Sequence, residues 1–351
     1  MKGNEAIAEA AIRSGCAAYF GYPITPQNEI IGYMAKHMLE RGRIFIQAES
    51  ELAAVSMVYG ASAAGVRAMT SSSSPGVSLK QEGISYAAGA DVPMVVVNVM
   101  RGGPGLGSIA PSQSDYFQAT RGGGHGDYRC IVLAPKSVQE CADLTCLAFD
   151  LSDEYRMPAI ILADGVIGQM MEAVKLPPER RADELPPRDW AVGNMGQTRS
   201  ARHITSLELN VEALDEQNAA RFRRYGELAE KETRFEVAGE KADLVLVAFG
   251  TSARISLGAK NLAEKEGVKL SVFRPITLYP FPSAALAAFA EGKPVLTVEM
   301  SCGQLVEDVK LAFYGSKNPA RVHLLAHSGG VIPTEEEVYE KAKAILEGRH
   351  G

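Results

Sequence analysis

The sequence has few cysteines and no C-x-x-C pair. Its 351 residues contain five cysteines, an odd number, scattered along the chain: Cys16, Cys130, Cys141, Cys146 and Cys302. This spacing disfavours disulfides, a zinc site and an iron–sulfur cluster held by this chain alone. Because free cysteine is usually buried, we predict that Cys16 and Cys302 are core thiols.

The sequence also lacks a basic stripe and a long apolar run. Its net charge is −6, which argues against nucleic acid as a partner. The most apolar run, VPMVVVNVM at residues 92–100, is far shorter than the ~20 residues needed to cross a bilayer. The N-terminal residues have no apolar signal-peptide core. We therefore expect a cytoplasmic protein that binds neither nucleic acid nor membrane.

Nucleotide-binding motifs are incomplete. No Walker lysine is present, so a nucleoside triphosphate site has no support. Gly105, Gly107 and Ala110 fit the G-x-G-x-x-A spacing, but Pro111 follows at once and no acidic residue ends the next strand. A dinucleotide-binding loop opens a helix and needs that acid for the ribose. A nicotinamide dehydrogenase is therefore disfavoured.

Helix-like and strand-like segments alternate along most of the chain. An alanine-rich amphipathic helix is predicted from Gly3 to Arg13, and a helix from Gln27 to Glu40. The run DVPMVVVNVM is continuously apolar, which is typical of a strand buried on both faces. This order predicts an α/β fold with mostly parallel sheets.

The composition changes in the middle of the chain. Proline pairs and dense charge mark residues 171–240 as a linker with one exposed helix. With 46% hydrophobic residues, the parts on either side can each bury a core. We predict two domains, residues 1–170 and residues 241–351.

Two polar pairs are candidates for chemistry. His125 and Asp127, in the loop TRGGGHGDYR, are either a catalytic pair or part of an exposed turn. Asp164 and Asn194 loosely match the spacing that holds a magnesium diphosphate in thiamine enzymes. A metal needs ligands on a rigid frame, and the proline-rich linker lies between these two residues. We therefore set the second pair aside.

Three segments together resemble a known family. They are GYPITP at residues 21–26, ESELAAVSMVYGASAAG at residues 49–65, and GGPGLGSIAPSQSDYFQATRGGGHGDY at residues 102–128. The chain looks like the alpha subunit of 2-oxoacid:ferredoxin oxidoreductases, and is especially similar to the 2-oxoisovalerate (branched-chain) type. The resemblance implies a thiamine diphosphate pyrimidine-binding domain followed by a transketolase C-terminal-like domain.

The resemblance implies a catalytic and cofactor-binding carboxyl group. Thiamine diphosphate is activated when a carboxyl group in an apolar cleft bonds its pyrimidine ring. Glu49 and Glu51 are two residues apart, so on a helix they point about 200° apart and only one can serve. The family spacing to Gly60-Ala61 selects Glu51. The alternative for Glu51 is an ordinary acid at a helix N-terminus.

Two further residues match the family's substrate partners. The resemblance implies that Thr25 and Arg101 bind the 2-oxoacid, the guanidinium as a clamp on its carboxylate. Pro23 and Pro26 restrict the backbone around Thr25. The alternatives are a helix N-cap for Thr25 and a surface salt bridge for Arg101.

The hydroxyl-rich segment TSSSSPG, residues 70–76, is the third implied site. In the family this loop approaches the cofactor or the substrate, which makes Thr70, Ser73 and Ser74 candidate cofactor-binding residues. Hydroxyl-rich loops are also common turns, so that alternative stays open.

The resemblance also implies partners. No convincing diphosphate, magnesium, iron–sulfur or coenzyme A site is present in this sequence. We therefore expect thiamine diphosphate to be shared with a beta subunit, and Mg²⁺ and iron–sulfur clusters to lie on partner subunits, including a gamma subunit. Coenzyme A, a 2-oxoacid and ferredoxin are the expected substrates, and the chain alone should be inactive. The alternatives are 2-oxoglutarate or pyruvate as the oxoacid, and a non-catalytic transketolase-like scaffold or small-ligand binder.

Overall fold

The structure, a computed structural model, describes residues 1–192, 202–240 and 242–349. Within these residues the strands form two sheets. The first sheet has seven strands in the order β10-β5-β6-β4-β3-β1-β2. Their bounds are β1 (Ala18–Gly21), β2 (Ile44–Gln47), β3 (Ala68–Ser72), β4 (Met94–Met100), β5 (Ile131–Leu133), β6 (Pro158–Asp164) and β10 (Thr277–Tyr279).

The second sheet has five strands in the order β12-β11-β8-β9-β7. They are β7 (Phe235–Ala238), β8 (Leu244–Val247), β9 (Leu270–Pro275), β11 (Val295–Glu299) and β12 (Val322–Ala326). Pairing is parallel except at β7 and β10, which pair antiparallel with β9 and β5. The prediction of an α/β fold with mostly parallel sheets is confirmed.

Helices lie between the strands. Within the described residues they are α1 (Gly3–Arg13), α2 (Asn28–Glu40), α3 (Glu51–Ala63), α4 (Pro75–Gly89), α5 (Tyr116–Arg121), α6 (Val138–Tyr155), α7 (Gly165–Gln169), α8 (Val211–Glu232), α9 (Gly250–Lys265), α10 (Ser283–Ala290), α11 (Leu305–Ala312) and α12 (Glu335–Leu346), with a 3₁₀ turn at Ala182–Glu184. The predicted bounds of α1 are confirmed, and α2 begins one residue later than predicted. The sequence did not predict α5, α7 or α12.

The first sheet is covered on both faces, as β4 shows. Every residue of β4 is buried. Val95 and Val97 pack into one apolar cluster with α1 and α6, whereas Met94 and Val96 pack into the other with α3 and α4. Alternate side chains of a strand point to opposite faces, so a strand between two helical layers is apolar throughout.

Two strands do not follow the predicted division at residue 240. Strand β7 comes from the predicted linker yet completes the second sheet, and β10 comes from the second half yet pairs with β5 of the first sheet. Each sheet therefore contains one strand that comes from outside its own predicted range. The domain ranges 1–170, 171–240 and 241–351 stay a prediction.

The described part of the linker packs on the first sheet's helices. Arg188 pairs with Asp153 at 2.5 Å, and Arg67 pairs with the same carboxylate at 2.8 Å. The predicted linker helix is α8, and most of it is exposed, but Tyr225 and Leu228 are buried. This charged, proline-rich segment thus packs on the surface of the first half of the molecule as well as connecting the two halves.

The two predicted core thiols differ. Cys16 is buried, and burial raises the pKa of its thiol to about 12. Cys302 is exposed, so its prediction as a core thiol is wrong. It lies in the loop between β11 and α11, at the end of the sheet, where the helical layers no longer cover a side chain.

Of the helices in the described residues, none is both long enough and apolar enough to span a membrane.

Candidate functional site

The predicted site residues follow neighbouring strands of the first sheet. Strands β4, β3, β1 and β2 are adjacent and parallel, so their carboxyl ends lie at one edge. Thr25 follows β1, Glu51 follows β2, and Arg101 follows β4. In open α/β sheets this edge is where ligands bind. The topology thus brings together residues that are far apart in the sequence.

Glu51 is the first residue of α3 and is buried, with 6% of its surface exposed. Ser50 caps the helix by accepting a hydrogen bond from Ala53 N at 3.1 Å. Glu49 precedes the cap and is exposed. A carboxylate at the first helical turn interacts favourably with the helix dipole, but that interaction does not require burial.

The Glu51 carboxyl group lies against Gly76, where there is no room for a side chain. A Cβ atom built on Gly76 would lie 2.6 Å from Glu51 Oε1, and it would also collide with Ser72 Oγ. Within the described ranges the Glu51 carboxylate accepts no hydrogen bond, and the buried hydroxyls of Ser72 and Ser73 have no partner. Unpaired polar atoms are costly inside a protein. The free carboxylate and hydroxyls can form hydrogen bonds with the ring nitrogens of a ligand. In this respect these residues fit the pyrimidine ring of thiamine.

Lys80 lies on α4 close to Glu51 and is wholly buried. Its ammonium donates to Thr70 Oγ1 at 3.0 Å and to the backbone oxygen of Glu51 at 3.4 Å. Burial lowers the pKa of Lys80 to about 8, while the charge of Glu51 acts in the opposite direction. Sequence reasoning missed Lys80; the available signal was a charged residue among small and apolar ones in GVSLKQEGISYAAG.

The turn that carries Thr25 is held by its backbone. Arg101 Nη1 donates to the Thr25 carbonyl at 2.9 Å, and the side-chain amides of Asn4 and Gln169 each donate to the Pro26 carbonyl at 2.8 Å. The Thr25–Pro26 bond is cis, and the Thr25 side chain is exposed. The turn is thus fixed from three other segments, and its hydroxyl stays accessible.

A second network of hydrogen bonds holds Gln27, at the end of the turn. Gln27 Oε1 accepts a hydrogen bond from Ser71 Oγ at 2.5 Å, and Ser71 Oγ lies 2.6 Å from the hydroxyl of Tyr19. Gln27, not Thr25, occupies the cap position of α2, and it makes no side-chain cap bond. The alternative of Thr25 as the helix N-cap is therefore wrong.

Arg101 is buried rather than on the surface, with 7% of its area exposed. Its Nη2 donates to the Leu106 carbonyl at 2.9 Å, and its Nε has no partner. In the described part of the chain it pairs with no carboxylate, so the alternative of a surface salt bridge is wrong. A buried guanidinium bonded only to carbonyls keeps its charge uncompensated, which favours an anionic ligand.

Ser74 connects the hydroxyl-rich segment to Arg101. Its hydroxyl donates to Asp115 Oδ2 at 2.5 Å and accepts from Arg101 N at 2.9 Å, while its own N–H donates to Asn98 Oδ1 at 3.0 Å. Its φ of +26° is unusual for serine, and these three bonds hold it. Burial raises the pKa of Asp115, although the bonds from Ser74 and Asn98 oppose that change. Ser74 therefore positions the loop.

The remaining sequence candidates lie elsewhere or are otherwise engaged. His125 and Asp127 are exposed. The loop with Gly105 and Gly107 leads to a bridge at Pro111 rather than opening a helix. Asp164 is buried and accepts hydrogen bonds from Thr251, Ile167 and Gln113. Asn194 lies outside the described residues. Among the described residues no three His, Cys, Asp or Glu side chains cluster as a metal site.

Comparisons with known proteins show the family of the chain. The model for "pyruvate flavodoxin/ferredoxin oxidoreductase, thiamine diphosphate-binding" matches residues 9–227. The model for "pyruvate:ferredoxin oxidoreductase core domain II" matches residues 242–338. The ketoisovalerate oxidoreductase subunit VorB of Methanothermobacter marburgensis is 48% identical over 347 residues, which are 98% of this chain and 97% of that protein. The chain belongs to the 2-oxoacid:ferredoxin oxidoreductase family.

Other members of the 2-oxoacid:ferredoxin oxidoreductase family are also similar. The 2-oxoglutarate synthase subunit KorA of Archaeoglobus fulgidus is 40% identical over 358 residues, covering 99% of this chain and 98% of that protein. A solved 2-oxoglutarate:ferredoxin oxidoreductase from Magnetococcus marinus, with 2-oxoglutarate, coenzyme A and succinyl-CoA bound, matches with a TM-score of 0.86 at 28% identity. That match covers 99% of this chain but only 65% of the solved chain.

A more distant structure shows the fold alone. A split-gene transketolase, described as an inactive beta4 tetramer, matches with a TM-score of 0.63 at 15% identity over 100% of this chain. The predicted thiamine-enzyme-like fold is thus confirmed.

Proposed function

We propose that the chain is the alpha subunit of a thiamine-diphosphate-dependent 2-oxoacid:ferredoxin oxidoreductase. The proposed reaction is oxidative decarboxylation of a branched-chain 2-oxoacid to an acyl-CoA with reduction of ferredoxin. One observation carries it: Glu51 presents a buried, unpaired carboxyl beside Gly76, at the sheet edge where Arg101 and Thr25 also lie. The name of the 48% identical relative supports the branched-chain substrate.

The proposed cofactor site uses residues around Glu51. Glu51 would bond the pyrimidine ring, and the free hydroxyls of Ser72 and Ser73 would complete its polar surroundings. Thr70 is bonded to Lys80, so its role is to hold that lysine rather than to bind directly. When bound, thiamine diphosphate would supply a nucleophilic carbon for the ketone of a 2-oxoacid. This chain's residues orient the group and exchange a proton with it at Glu51.

The proposed substrate site is the pair of Arg101 and Thr25. The Nε of Arg101 is free, and the guanidinium charge is not balanced by a carboxylate of the described chain. A carboxylate of the oxoacid would supply that balance. The exposed Thr25 hydroxyl would donate to the ketone oxygen. Because Arg101 also holds the Thr25 carbonyl, one movement of the guanidinium would shift both groups.

The proposed complex completes the active site. The subunit names of the relatives support an assembly of several chains. We place Mg²⁺ and the diphosphate on a beta subunit and the iron–sulfur clusters on further subunits. Ferredoxin and coenzyme A then enter as substrates, and the proposed compartment is the cytoplasm.

Purification of the native complex through this chain tests the proposal. A panel of 2-oxoacids is assayed with coenzyme A and a viologen acceptor, with and without thiamine diphosphate. We expect the highest kcat/KM for branched-chain oxoacids. A higher value for 2-oxoglutarate or pyruvate would assign a different substrate, in agreement with the KorA relatives. Absence of thiamine-dependent reduction with every oxoacid would overturn the enzyme proposal and favour the scaffold.

A further inference from the structure

Lys80 is a charged residue in a place where charge is costly. It lies in the middle of α4 and none of its surface is exposed. Its hydrogen-bond partners are both neutral, the hydroxyl of Thr70 and the backbone carbonyl of Glu51. An ammonium group has three N–H donors, so one is left for another acceptor.

The charge next to Lys80 belongs to Glu51. The two side chains do not form a direct ion pair, yet the Glu51 carboxylate is the charged group that acts on the ammonium. Lys80 packs between α3, which contributes Glu51, and β3, which contributes the neutral Thr70. On α4 itself, Gln81 is neutral and Glu82 is exposed. Lys80 therefore lies next to Glu51 in the buried interior between α3, α4 and β3.

Lys80 destabilises the fold at neutral pH. Its pKa is lowered from 10.5 to about 8 by burial. Below pH 8 the lysine is charged in both the folded and the unfolded chain, so the full desolvation cost is present. The cost decreases as the pH rises from about 8 towards 10.5, where the folded chain holds the neutral amine. A methionine of similar length would fill the same space without this cost, so packing does not explain a lysine here.

We propose that Lys80 is a positioning residue that stabilises the carboxylate form of Glu51 and so moves the shared proton towards the nitrogen of a bound pyrimidine. This inference rests on the proposed function of Glu51. Binding of the pyrimidine places one proton, taken up from solvent, in the hydrogen bond between Glu51 and the ring nitrogen. No other bond forms or breaks. Removal of Lys80 would leave the buried Glu51 carboxylate without this nearby positive charge, which is costly in an apolar cleft.

The test uses the native complex with four forms of this chain: unchanged, Lys80→Met, Lys80→Gln and Lys36→Met. Lys80→Gln keeps an N–H donor for Thr70 but removes the charge, and it carries the test if Lys80→Met does not assemble. Lys36 is exposed on α2, so Lys36→Met is the matched control for loss of a lysine.

Three measurements are made on each form. Calorimetry in buffers of different ionisation enthalpy gives the protons taken up when thiamine diphosphate and Mg²⁺ bind. Steady-state assays give kcat and KM for the oxoacid as functions of pH. Thermal unfolding gives the stability of the complex without thiamine diphosphate.

For both Lys80 variants we expect reduced proton uptake and an unchanged KM for the oxoacid. Because the charge that acts on Glu51 is lost, kcat at pH 7 should fall by about tenfold, the effect of an interaction worth one pKa unit. We also expect kcat of the unchanged complex to fall above pH 8, where Lys80 loses its charge, and both variants to lack that fall. The variants should also unfold at a higher temperature, whereas loss of a structural lysine would lower it. Lys36→Met should match the unchanged complex in all three.

Two results would overturn the inference while leaving the proposed function intact. One is a normal kcat, pH profile and proton uptake in Lys80→Gln. The other is a lowered unfolding temperature with kcat and cofactor affinity reduced together, which assigns Lys80 to packing. If the unchanged complex shows no thiamine-dependent activity, the proposed function itself fails.

Discussion

At the residue scale, the site depends on the environment of a single carboxyl group. Glu49 and Glu51 are chemically identical and two positions apart, but Ser50 ends the loop between them and begins α3. The chain therefore exposes one acid and buries the other. A buried acid that accepts no hydrogen bond within the described residues is a candidate functional group.

Replacement of Glu51 by Gln tests that role. The amide keeps the size of the side chain but cannot exchange a proton, so kcat should fall by about 10²–10⁴-fold, the usual range for general acid–base catalysis. Steady-state assays of the complex measure it. Glu49→Gln is the control, because Glu49 is exposed, and it should leave kcat unchanged. Equal effects of the two substitutions would contradict the role of Glu51.

Gly76 supports a second prediction. An alanine methyl group would lie 2.6 Å from Glu51 Oε1, closer than atoms can approach, so Gly76→Ala should displace the carboxyl and weaken thiamine diphosphate binding. Calorimetric titration of the complex measures the affinity. Gly226→Ala, in the exposed helix α8 with open space around it, is the control. It should leave binding unchanged and stabilise the chain by about 0.5–1 kcal/mol. Unchanged binding in Gly76→Ala would place the cofactor elsewhere.

At the element scale, the short turn between β1 and α2 is held by distant residues. Its carbonyls accept from Arg101, Asn4 and Gln169, which come from the loop after β4, from α1 and from α7. The prolines restrict φ locally, but these three donors decide where the turn lies. The turn can therefore present the exposed Thr25 hydroxyl at a fixed position.

Thr25→Val tests the turn's role in substrate binding. Loss of one hydrogen bond should raise KM for the oxoacid by roughly 2- to 10-fold, equivalent to about 0.5–1.5 kcal/mol, with little change in thiamine diphosphate affinity. Kinetic assays and cofactor titration separate the two effects. Asn28→Ala removes the exposed partner of the Thr25 hydroxyl and should leave KM unchanged. A parallel loss of cofactor and substrate affinity in Thr25→Val would assign the turn to cofactor binding or folding.

At the scale of the whole molecule, buried polar groups join the two sheets. Gln113, after β4, donates to the Phe249 carbonyl at 2.9 Å and accepts from Met300 N at 3.1 Å and from Ser252 Oγ at 2.9 Å. Tyr116 donates to Asp308 at 2.5 Å across the same contact. The candidate site thus lies on a sheet whose position is fixed by the second one.

Gln113→Leu tests this connection. The change leaves two buried donors, Met300 N and Ser252 Oγ, without their partner, each at a cost of about 1–3 kcal/mol, so the complex should unfold at lower denaturant concentration. Urea titration followed by circular dichroism measures it. Gln217→Leu, exposed on α8, is the control and should unfold as the unchanged chain does. Equal midpoints for the two variants would show that the sheets are held by other contacts.

Much of the fold follows from periodicity. The continuous apolar run of β4 predicts burial on both of its faces. Helix α1 is predicted as amphipathic, but nine of its eleven residues are buried, because it packs against both α2 and α6. The short helices α5 and α7 were missed, since their five or six residues carry too little pattern. The exposure of Cys302 was missed because composition does not report where a sheet ends.

The candidate site, like the fold, could be predicted only in part from the sequence. The sequence by itself determined the α/β order and, through family spacing, the candidates Glu51, Thr25 and Arg101. Only the tertiary structure decided that these residues meet at one edge of the sheet and that Arg101 holds the Thr25 turn. It also decided that Lys80 lies next to Glu51. The physical reason is that burial and charge compensation depend on strand order, which brings together residues far apart in the chain. Propensity and spacing act only over a few neighbouring residues.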